Sequence, residues 1–326
     1  MSDLAVTIGN LGGDRYLAHC LRSLRDEDAA GFSYSVHLGF NGFEDSGFIG
    51  RISAEFPEAR WFHRRTKLGY TGTYNRLMRD TNARYVLLLD DDTLVPKGTL
   101  PAMVAFMDAH PKVGIAGCRT LNPDGSLQRS FGRMLSLAAE LQNAVHLSTF
   151  WPDHLYRDLD AWREVDWLNG SFMLVRRTTL EAVGGLDDYY YTFCCEPDWC
   201  LRIARAGWQV AFVPDVAITH TGGDHSINTT VKSFDALMRA HINHYYFFRK
   251  NHGLLAQFLL RPILSIGALL RVLKFLPLML FAPARRAEAG PKLRAYVRIV
   301  LLGLAPRPWR QTPALARQNA AADAEP

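Results

Sequence analysis

The first ninety residues alternate short apolar runs with segments whose apolar residues recur every three or four positions. A short apolar run predicts a strand, and the longer spacing predicts a helix with one buried face. The predicted strands cover residues 4–8, 34–40, 60–63 and 85–89, and the predicted helices cover residues 16–24, 48–56 and 73–79. This alternation predicts an α/β fold with a largely parallel sheet and helices on both of its faces.

The same patterns continue to about residue 245, beyond which the sequence becomes Leu-rich and basic. Helices are predicted at residues 179–183 and 198–206, and strands at residues 209–214 and 216–220. With 326 residues and 48% hydrophobic content, the chain is large enough for one α/β core and an appendage. We therefore expect the C-terminal part to be a separate helical region.

The net charge of +5 is unevenly distributed along the chain. Residues 249–310 contain twelve Lys and Arg against one acid, Glu288, whereas residues 1–248 carry more acids than bases. Long aliphatic side chains separate these basic residues, and stacking platforms for bases are not interleaved with them. This pattern favours an anionic membrane surface as the partner and argues against nucleic acid.

The C-terminal apolar run is predicted to lie on a membrane rather than to cross it. Interrupting charges leave apolar pieces of nine and eight residues, whereas a spanning helix needs roughly twenty. Four polar residues fall within one arc of roughly 140° on a helix, as an interfacial helix requires: Gln257, Arg261, Arg271 and Lys274. Pro262 and Pro277 are expected to break the run into segments. The alternative is an amphipathic helix packed on the core domain.

Five cysteines without paired spacing are typical of a protein in a reducing compartment. The first residues, MSDLAVTI, lead directly into a predicted strand without a basic or apolar leader. Together with the basic C-terminal region, these features predict a cytoplasmic protein that is peripheral on the inner face of the cell membrane.

Three carboxylates follow the apolar strand in the segment YVLLLDDDTLVP. If the strand geometry continues, Asp90 and Asp92 point to one side and Asp91 to the other. Ligands of parallel sheets bind beyond the carboxyl ends of the strands, where Asn10 and Asn41 should also lie. Hard carboxylate oxygens suit Mg²⁺ or Mn²⁺. The alternative is a solvated acidic turn in which Asp92 or its neighbour caps the next segment of the chain.

A second acidic cluster lies among aromatic residues in GGLDDYYYTFCCEPDWCLR. A carboxylate buried there has a raised pKa and is suited to act as a general base. The alternative is a helix N-terminus, where Glu196, Pro197 and Asp198 are favoured residue types. Further along, His220 ends an apolar segment and precedes the turn TGGDHS. Its imidazole would complete a metal site with the aspartates, or it would be a structural histidine.

These motifs, in this order, resemble the inverting glycosyltransferases of family 2, and in particular their bacterial rhamnosyltransferase-like members. The segments that carry the resemblance are KLGYTGTYNRLMRDTNARYVLLLDDDTLVP, WLNGSFMLVRR, VGGLDDYYYTFCCEPDWCLRIARAGWQV and ITHTGGDHS. The resemblance covers residues 4–250 and implies the nucleotide-diphosphosugar transferase fold, of the GT-A type. We expect a catalytic domain at residues 1–248, and composition predicts the basic amphipathic region at 249–310 and a disordered tail at 311–326.

The resemblance also implies roles for individual residues. Metal and diphosphate are expected at Asp90 and Asp92, with Asp91 beside them and His220 as a further metal ligand. Asn41 stands where relatives place an aspartate for the nucleotide base, which leaves uridine or thymidine open. Further expected residues are Asn10, Lys67, Gly69 and Asn75 in the nucleotide pocket, and Trp167, Asn169 and Gly170 on the acceptor side. Lys67 replaces a usual asparagine.

The implied catalytic base is Glu196, with Asp198 as the second candidate. Relatives commonly read Glu-Asp-x-Asp where this chain reads Cys195-Glu196-Pro197-Asp198, and alignment on the following WCLR gives Glu196 the position of the base. The implied reaction transfers a sugar, from dTDP-rhamnose or a UDP-sugar, to a cell-surface glycan or a lipid-linked acceptor, with inversion.

Three rival functions remain to be compared with this one. An oxidoreductase on a dinucleotide-binding fold would need GxGxxG after the first strand, and IGNLGG at residues 8–13 lacks that spacing. A nucleotidyltransferase shares the acidic metal chemistry but uses a nucleoside triphosphate. A non-catalytic membrane-binding module would not need the acidic clusters. The sequence leaves the oligomeric state open.

Overall fold

The protein is described by a computed structural model at residues 2–10, 16–25, 32–41, 46–64, 68–145, 159–221, 234–282 and 286–308. The strands are β1 Ser2–Asn10, β2 Tyr34–Asn41, β3 Arg60–Arg64, β4 Ala83–Asp90, β5 Thr93–Leu94, β6 Val113–Leu121, β7 Phe131–Gly132, β8 Arg163–Glu164, β9 Trp167–Leu168, β10 Phe172–Arg176 and β11 Gln209–His220. The helices are α1 Leu17–Arg25, α2 Ser46–Glu55, α3 Gly69–Arg79, α4 Thr99–Ala109, α5 Leu137–Ala144, α6 Arg177–Val183, α7 Cys195–Arg205, α8 Phe234–Asn251, α9 Gly253–Phe281 and α10 Arg286–Leu304.

The main sheet is largely parallel, as predicted. Its strands lie in the order β3-β2-β1-β4-β10-β6-β11-β5, with β8 paired to β11. The strands β1 to β4 are mutually parallel where they pair, and β10 runs antiparallel between β4 and β6. The alternation of strands and helices up to residue 90 is thereby confirmed, with each predicted element found within a few residues of its expected position.

Each face of the sheet is covered by helices, because the central strands are apolar on both sides. In β4, Tyr85, Leu87 and Leu89 point into one cluster with α1, α2 and α4, whereas Val86 and Leu88 point into another with α3, α6, α7 and α8. A strand that is buried on both faces reads as a continuous apolar run. This explains why YVLLL precedes the carboxylates at the end of β4.

A short antiparallel pairing closes the rim where β4 ends. Thr93 of β5 pairs with His220 at the end of β11, and Leu94 pairs with Thr219. The backbone N–H of Thr221 also donates to the carbonyl of Asp92, at 2.8 Å. These bonds bring the end of β11 beside the acidic turn, although the two segments are far apart in the chain.

The C-terminal helices form a layer in which α9 and α10 run antiparallel, with Phe275 stacked on Tyr296. Helix α9 is continuous through Pro262 and Pro277, so the prediction that these prolines break it was wrong. An internal proline costs about 3 kcal/mol or more, and packing of α9 against α5, α8 and α10 offsets that cost. Helix α8 runs through residue 248, so the domain boundary predicted there falls within a helix.

Three of the four polar residues in the predicted arc of α9 lie against the protein, and the fourth, Lys274, is exposed. Gln257 is buried, the Arg261 guanidinium donates to the carbonyl of Pro306, and that of Arg271 donates to the carbonyls of Gly267 and Asn143. The opposite face exposes large apolar side chains, namely Leu254, Leu255, Phe258, Leu259, Ile266, Leu269, Leu270, Leu273, Leu276, Leu280 and Phe281. Among the described residues, α9 is the one helix long and apolar enough to cross a membrane.

Candidate active site

Asp90, Asp92 and His220 meet at the rim and form a candidate metal site. The Nε2 atom of His220 lies 3.1 Å from Oδ1 of Asp92 and 4.0 Å from Oδ2 of Asp90. One ligand atom from each of the three residues lies within 4.8 Å of the others. Two carboxylate oxygens and one imidazole nitrogen at this spacing can share a single cation, and this donor set fits Mg²⁺ or Mn²⁺.

Gln128 fixes the orientation of the His220 ring. Its Oε1 lies 2.9 Å from Nδ1 of His220, and its Nε2 donates to the His220 carbonyl at 2.7 Å. Because Nδ1 donates to the Gln128 oxygen, Nε2 carries the lone pair and faces the aspartates. Sequence reasoning missed Gln128, since nothing in SLQRS distinguishes it from a surface glutamine.

Like charge and burial together shape the electrostatics of the acidic turn. Burial, reinforced by the neighbouring carboxylate of Asp92, raises the pKa of Asp90 to about 8 and that of Asp91 to about 7. The side-chain amide of Asn10 donates to Asp91 at 2.6 Å, and the Tyr74 hydroxyl lies 3.3 Å from Oδ1 of Asp90. Concentrated negative charge of this kind is stabilised by a divalent cation.

Glu196 lies in the first turn of α7, beside Gly170. A Cβ atom added at Gly170 would lie 3.0 Å from Oε1 of Glu196 and 2.6 Å from the Tyr70 hydroxyl. The Cys195 thiol donates to Oε2 of Glu196 at 3.3 Å. Burial raises the pKa of Glu196. A carboxylate with a raised pKa and few donors is a suitable proton acceptor.

Asp198, two residues later, has a different environment. It is fully buried and accepts hydrogen bonds from Lys250, Asn251, Arg202 and Tyr190 at 2.9–3.2 Å. Burial alone would raise its pKa, but the bonds from Asn251 and Lys250 and the charge of Arg202 hold the pKa below its usual value. Asp198 therefore ties α7 to the end of α8.

The backbone is strained immediately before Glu196. Tyr191, Phe193 and Cys194 have φ angles of 57°, 59° and 62°, in the left-handed region that non-glycine residues rarely adopt. The ring of Tyr191 occupies the space where a side chain at Gly69 would lie. Gly69 has φ 72°, and the next residue, Tyr70, donates its N–H to the Tyr191 carbonyl at 2.8 Å. This turn and the start of α3 are thus packed directly together.

Comparison with known proteins identifies the family to which this fold and site belong. The family model described as "Glycosyltransferase like family 2" matches residues 2–246. The chain belongs to glycosyltransferase family 2. This match confirms the enzyme class and the family resemblance that the sequence motifs predicted.

Two relatives and one solved structure are similar to this glycosyltransferase. An N-acetylglucosaminyl-diphospho-decaprenol L-rhamnosyltransferase of Mycobacterium tuberculosis is 28% identical over 232 residues, which cover 66% of this chain and 74% of the relative. The rhamnosyltransferase WbbL of Escherichia coli K12 is 25% identical over 146 residues, covering 44% and 54%. A mannosyltransferase of Pyrobaculum calidifontis, solved with GDP-Man and Mn²⁺, matches with a TM-score of 0.51 at 17% identity, covering 99% of this chain and 86% of its own. The GT-A type of fold is thereby confirmed.

The structure brings only some of the predicted site residues of this glycosyltransferase together. Asn10, Asp90, Asp91, Asp92 and His220 lie at the rim, and Glu196 lies beside Gly170. Lys67 lies outside the described residues, as does the turn after Thr221, and for Asn41 only the backbone is described, at the end of β2.

The remaining predicted residues make contacts that shape the neighbouring segments. The side-chain amide of Asn75 donates to the Leu186 carbonyl and to Asp188, and its oxygen accepts from the Leu186 N–H. The indole N–H of Trp167 donates to the Arg133 carbonyl. Asn169 accepts from the backbone N–H of Ser171. Roles for these residues in binding nucleotide or acceptor stay predictions.

Proposed function

We propose that this glycosyltransferase transfers a sugar from a nucleotide diphosphate to an acceptor hydroxyl by a single displacement with inversion. Glu196 is the base, and Asp90, Asp92 and His220 hold a divalent cation beside the diphosphate. The supporting observation is that Glu196 and the candidate metal ligands are linked through two adjacent tyrosines. The Tyr74 hydroxyl contacts Asp90, the Tyr70 hydroxyl lies near Gly170 and Glu196, and the two tyrosine rings are 4.6 Å apart.

The proposed division of labour follows from the chemistry of each residue. A Mg²⁺ or Mn²⁺ ion bound at the rim would neutralise the negative charge of the departing diphosphate. Gln128 holds the His220 tautomer that presents Nε2 to the cation. Glu196 accepts the proton of the acceptor hydroxyl as that oxygen bonds to the anomeric carbon and the bond to the diphosphate oxygen breaks. Holding both substrates in one cleft supplies a further large part of the rate.

Glu196 is favoured over Asp198 as the base because of the donors around each carboxylate. Asp198 is bonded by two cations and has a lowered pKa, so it is a weak proton acceptor. Glu196 has a raised pKa, and the side chain that bonds to it is the neutral Cys195 thiol. The alignment and the local electrostatics thus support the same assignment.

The donor and acceptor are proposed from the relatives. Both curated relatives are rhamnosyltransferases, and one is named for a diphospho-decaprenol acceptor. We therefore take dTDP-rhamnose as the first donor to test, followed by UDP-sugars, and a lipid-linked saccharide or a cell-surface glycan as the acceptor. Asn41 ends β2, at the rim where the nucleotide base would bind.

We also propose that α9 lies on the cytoplasmic face of a membrane. Its outward face is apolar, with Leu255 at 72% and Phe281 at 83% exposure. Its other face packs on α5 and α8 of the catalytic part, so a crossing helix would draw that part into the bilayer. Arg294 and Arg298 are exposed on α10 beside Val297 and Leu301, and such basic residues favour anionic lipid headgroups.

The membrane proposal is tested by sedimentation with vesicles that contain anionic phosphatidylglycerol. The triple variant Leu255→Asn, Phe258→Asn and Leu273→Asn should lose at least roughly tenfold in vesicle affinity, because each buried large apolar side chain contributes about 1.5–3 kcal/mol. Leu141→Asn, at an exposed position of α5, is the control. Equal sedimentation of the triple variant and wild type would refute the proposal.

The catalytic proposal is tested by measuring nucleoside diphosphate release from a panel of nucleotide sugars, with and without chelator. Glu196→Gln should lose roughly 10²-fold in turnover with little change in donor affinity. The matched control is Glu181→Gln at an exposed position of α6. Full activity in chelator would refute the metal site, normal turnover of Glu196→Gln would refute the base, and pyrophosphate release from nucleoside triphosphates would indicate a nucleotidyltransferase.

A further inference from the structure

The turn at residues 191–194 lies shortly before Glu196, and its backbone conformation needs support from neighbouring residues. Its three left-handed residues, Tyr191, Phe193 and Cys194, are not glycines. Such a conformation is unfavourable for a non-glycine residue and persists only where its surroundings hold it. The surroundings that hold this turn therefore also set the position of Glu196, which follows Cys195 at the start of α7.

Asn243 of α8 makes the most specific contacts with the turn. Its Nδ2 atom lies 3.0 Å from the carbonyl of Tyr190, 2.5 Å from that of Thr192 and 3.1 Å from that of Phe193. The side chain is 1% exposed. One amide nitrogen with two hydrogens thus bonds to three carbonyls, each of which directly precedes a left-handed residue. Left-handed backbone directs these carbonyls to a single point, and a donor at that point stabilises the conformation.

Neighbouring residues on the same face of α8 hold the rest of this segment. The Arg239 guanidinium stacks over the Tyr191 ring at 4.2 Å. One and two turns after Asn243, Tyr246 and Lys250 donate to Asp187 at 3.0 and 2.7 Å. Helix α8 thus contacts the chain before the turn, within it and, through the bond from Lys250 to Asp198, after Glu196. Asn243 is the residue of this face that bonds to the carbonyls preceding the left-handed residues.

We infer that Asn243 is a positioning residue for transfer: by bonding the carbonyls of Tyr190, Thr192 and Phe193, it holds the strained turn that sets the Glu196 carboxylate beside Gly170. This inference rests on the proposed role of Glu196 as the base. Among the described residues, Asn243 bonds to the turn and to neither the candidate metal ligands nor Glu196, so we expect it to act mainly on the proton-accepting step. The metal ligands at the rim are brought together by sheet pairing, so donor binding should depend less on Asn243 than the proton-accepting step does.

The test compares two variants of Asn243 with wild type in the full chain. Asn243→Ala removes every donor, and Asn243→Ser keeps one hydroxyl donor. We expect kcat to fall roughly 10- to 10²-fold in Asn243→Ala, since a 1 Å displacement of a reacting group costs up to that much. Asn243→Ser should lose less. The Kd of the donor, measured with metal present, should change less than twofold.

A control separates positioning from loss of stability. Leu237→Ala, at a buried position earlier on α8, should lower the melting temperature without a comparable loss of kcat in the folded enzyme. The inference would be overturned if, in all three variants, kcat fell in proportion to the drop in melting temperature. Failure of both Asn243 variants to fold would also overturn it.

A double-mutant cycle with Glu196→Gln distinguishes this inference from the proposed function. If Asn243 acts through Glu196, adding Asn243→Ala to Glu196→Gln should cause little further loss of kcat. Additive losses of kcat, or normal kcat in both folded Asn243 variants, would overturn the role of Asn243 but leave Glu196 as the proposed base. Normal turnover of Glu196→Gln itself would overturn the proposed base, and this inference with it.

Discussion

The candidate metal site and the candidate base are built by different parts of the fold. The metal ligands lie at strand ends, and the pairing of Thr93 with His220 brings them together through ordinary sheet hydrogen bonds. Glu196 follows a strained turn whose shape depends on side chains of α8. The donor side is therefore a direct consequence of the sheet, whereas the base depends on packing between helices.

The largest expected effect is on the side built by the sheet. Asp92→Ala should reduce transfer by roughly 10³-fold or more, because metal-assisted charge stabilisation is worth several kcal/mol. Donor affinity should become insensitive to added Mg²⁺ or Mn²⁺, as measured by calorimetric titration. Asp215→Ala, exposed on the same strand as His220, should behave as wild type. A metal response that survives in Asp92→Ala would contradict the shared metal site.

On the helical side, Asp198→Asn should act first on stability. It removes the charge that Lys250 and Arg202 surround, and breaking a buried pair costs about 3 kcal/mol or more. Asp198 has a lower pKa in the folded protein than in the unfolded chain. Its ionised form therefore stabilises the fold at pH values above its unfolded pKa, and this stabilisation is lost as pH falls through its folded pKa. Chemical unfolding should thus show less acid sensitivity in the variant. Unchanged stability with abolished turnover would instead make Asp198 the base.

Gln128→Ala should weaken metal binding by roughly 10- to 10²-fold, the usual loss when a residue that orients a ligating histidine is removed. The effect should appear in the metal concentration needed for half-maximal activity, and saturating metal should restore most of the turnover. Gln209→Ala, at the start of β11, is the control. A loss that metal cannot restore would mean that Gln128 acts on the substrate instead.

The smallest expected effect is a shift in the pH profile. Turnover should fall as pH falls through the Glu196 pKa, which burial raises, because the base must be unprotonated. The Cys195 bond lowers that pKa, and a hydroxyl is a stronger donor than a thiol. Cys195→Ser should therefore move the acid limb of the profile to lower pH by less than about one unit, and Cys195→Ala should move it higher. A shift in the same direction in both variants would contradict this account.

The sheet and its rim were predictable because their signals are local. Apolar runs identified β1 to β4, and the carboxylates had to follow β4 at the ligand-binding edge. Asp90 and Asp92 were therefore expected at that edge, and the family resemblance added His220. The structure brings the three together as a candidate metal site. Gln128 and Asn243 could not be predicted, since each acts through contacts with residues far away in the chain.

The C-terminal helix shows where helical periodicity misleads. The predicted arc comprised Gln257, Arg261, Arg271 and Lys274; the first three lie against the protein, whereas Lys274 is exposed. Periodicity does not say which way such a face points. The two arginines find backbone carbonyls of the protein itself, and their long side chains allow it. Packing also keeps α9 continuous through its prolines, an outcome that the local cost of proline alone would not predict.

The direct connection between α8 and α9 determines how a more soluble form of the enzyme should be engineered. Deleting the chain from residue 249 would remove Lys250 and Asn251, which hold Asp198, and would uncover the surfaces covered by Leu260 and Leu264. Polar replacements on the outward face of α9 leave both intact. Surface redesign at Leu255, Phe258 and Leu273 is therefore a better route to detergent-free crystals than truncation.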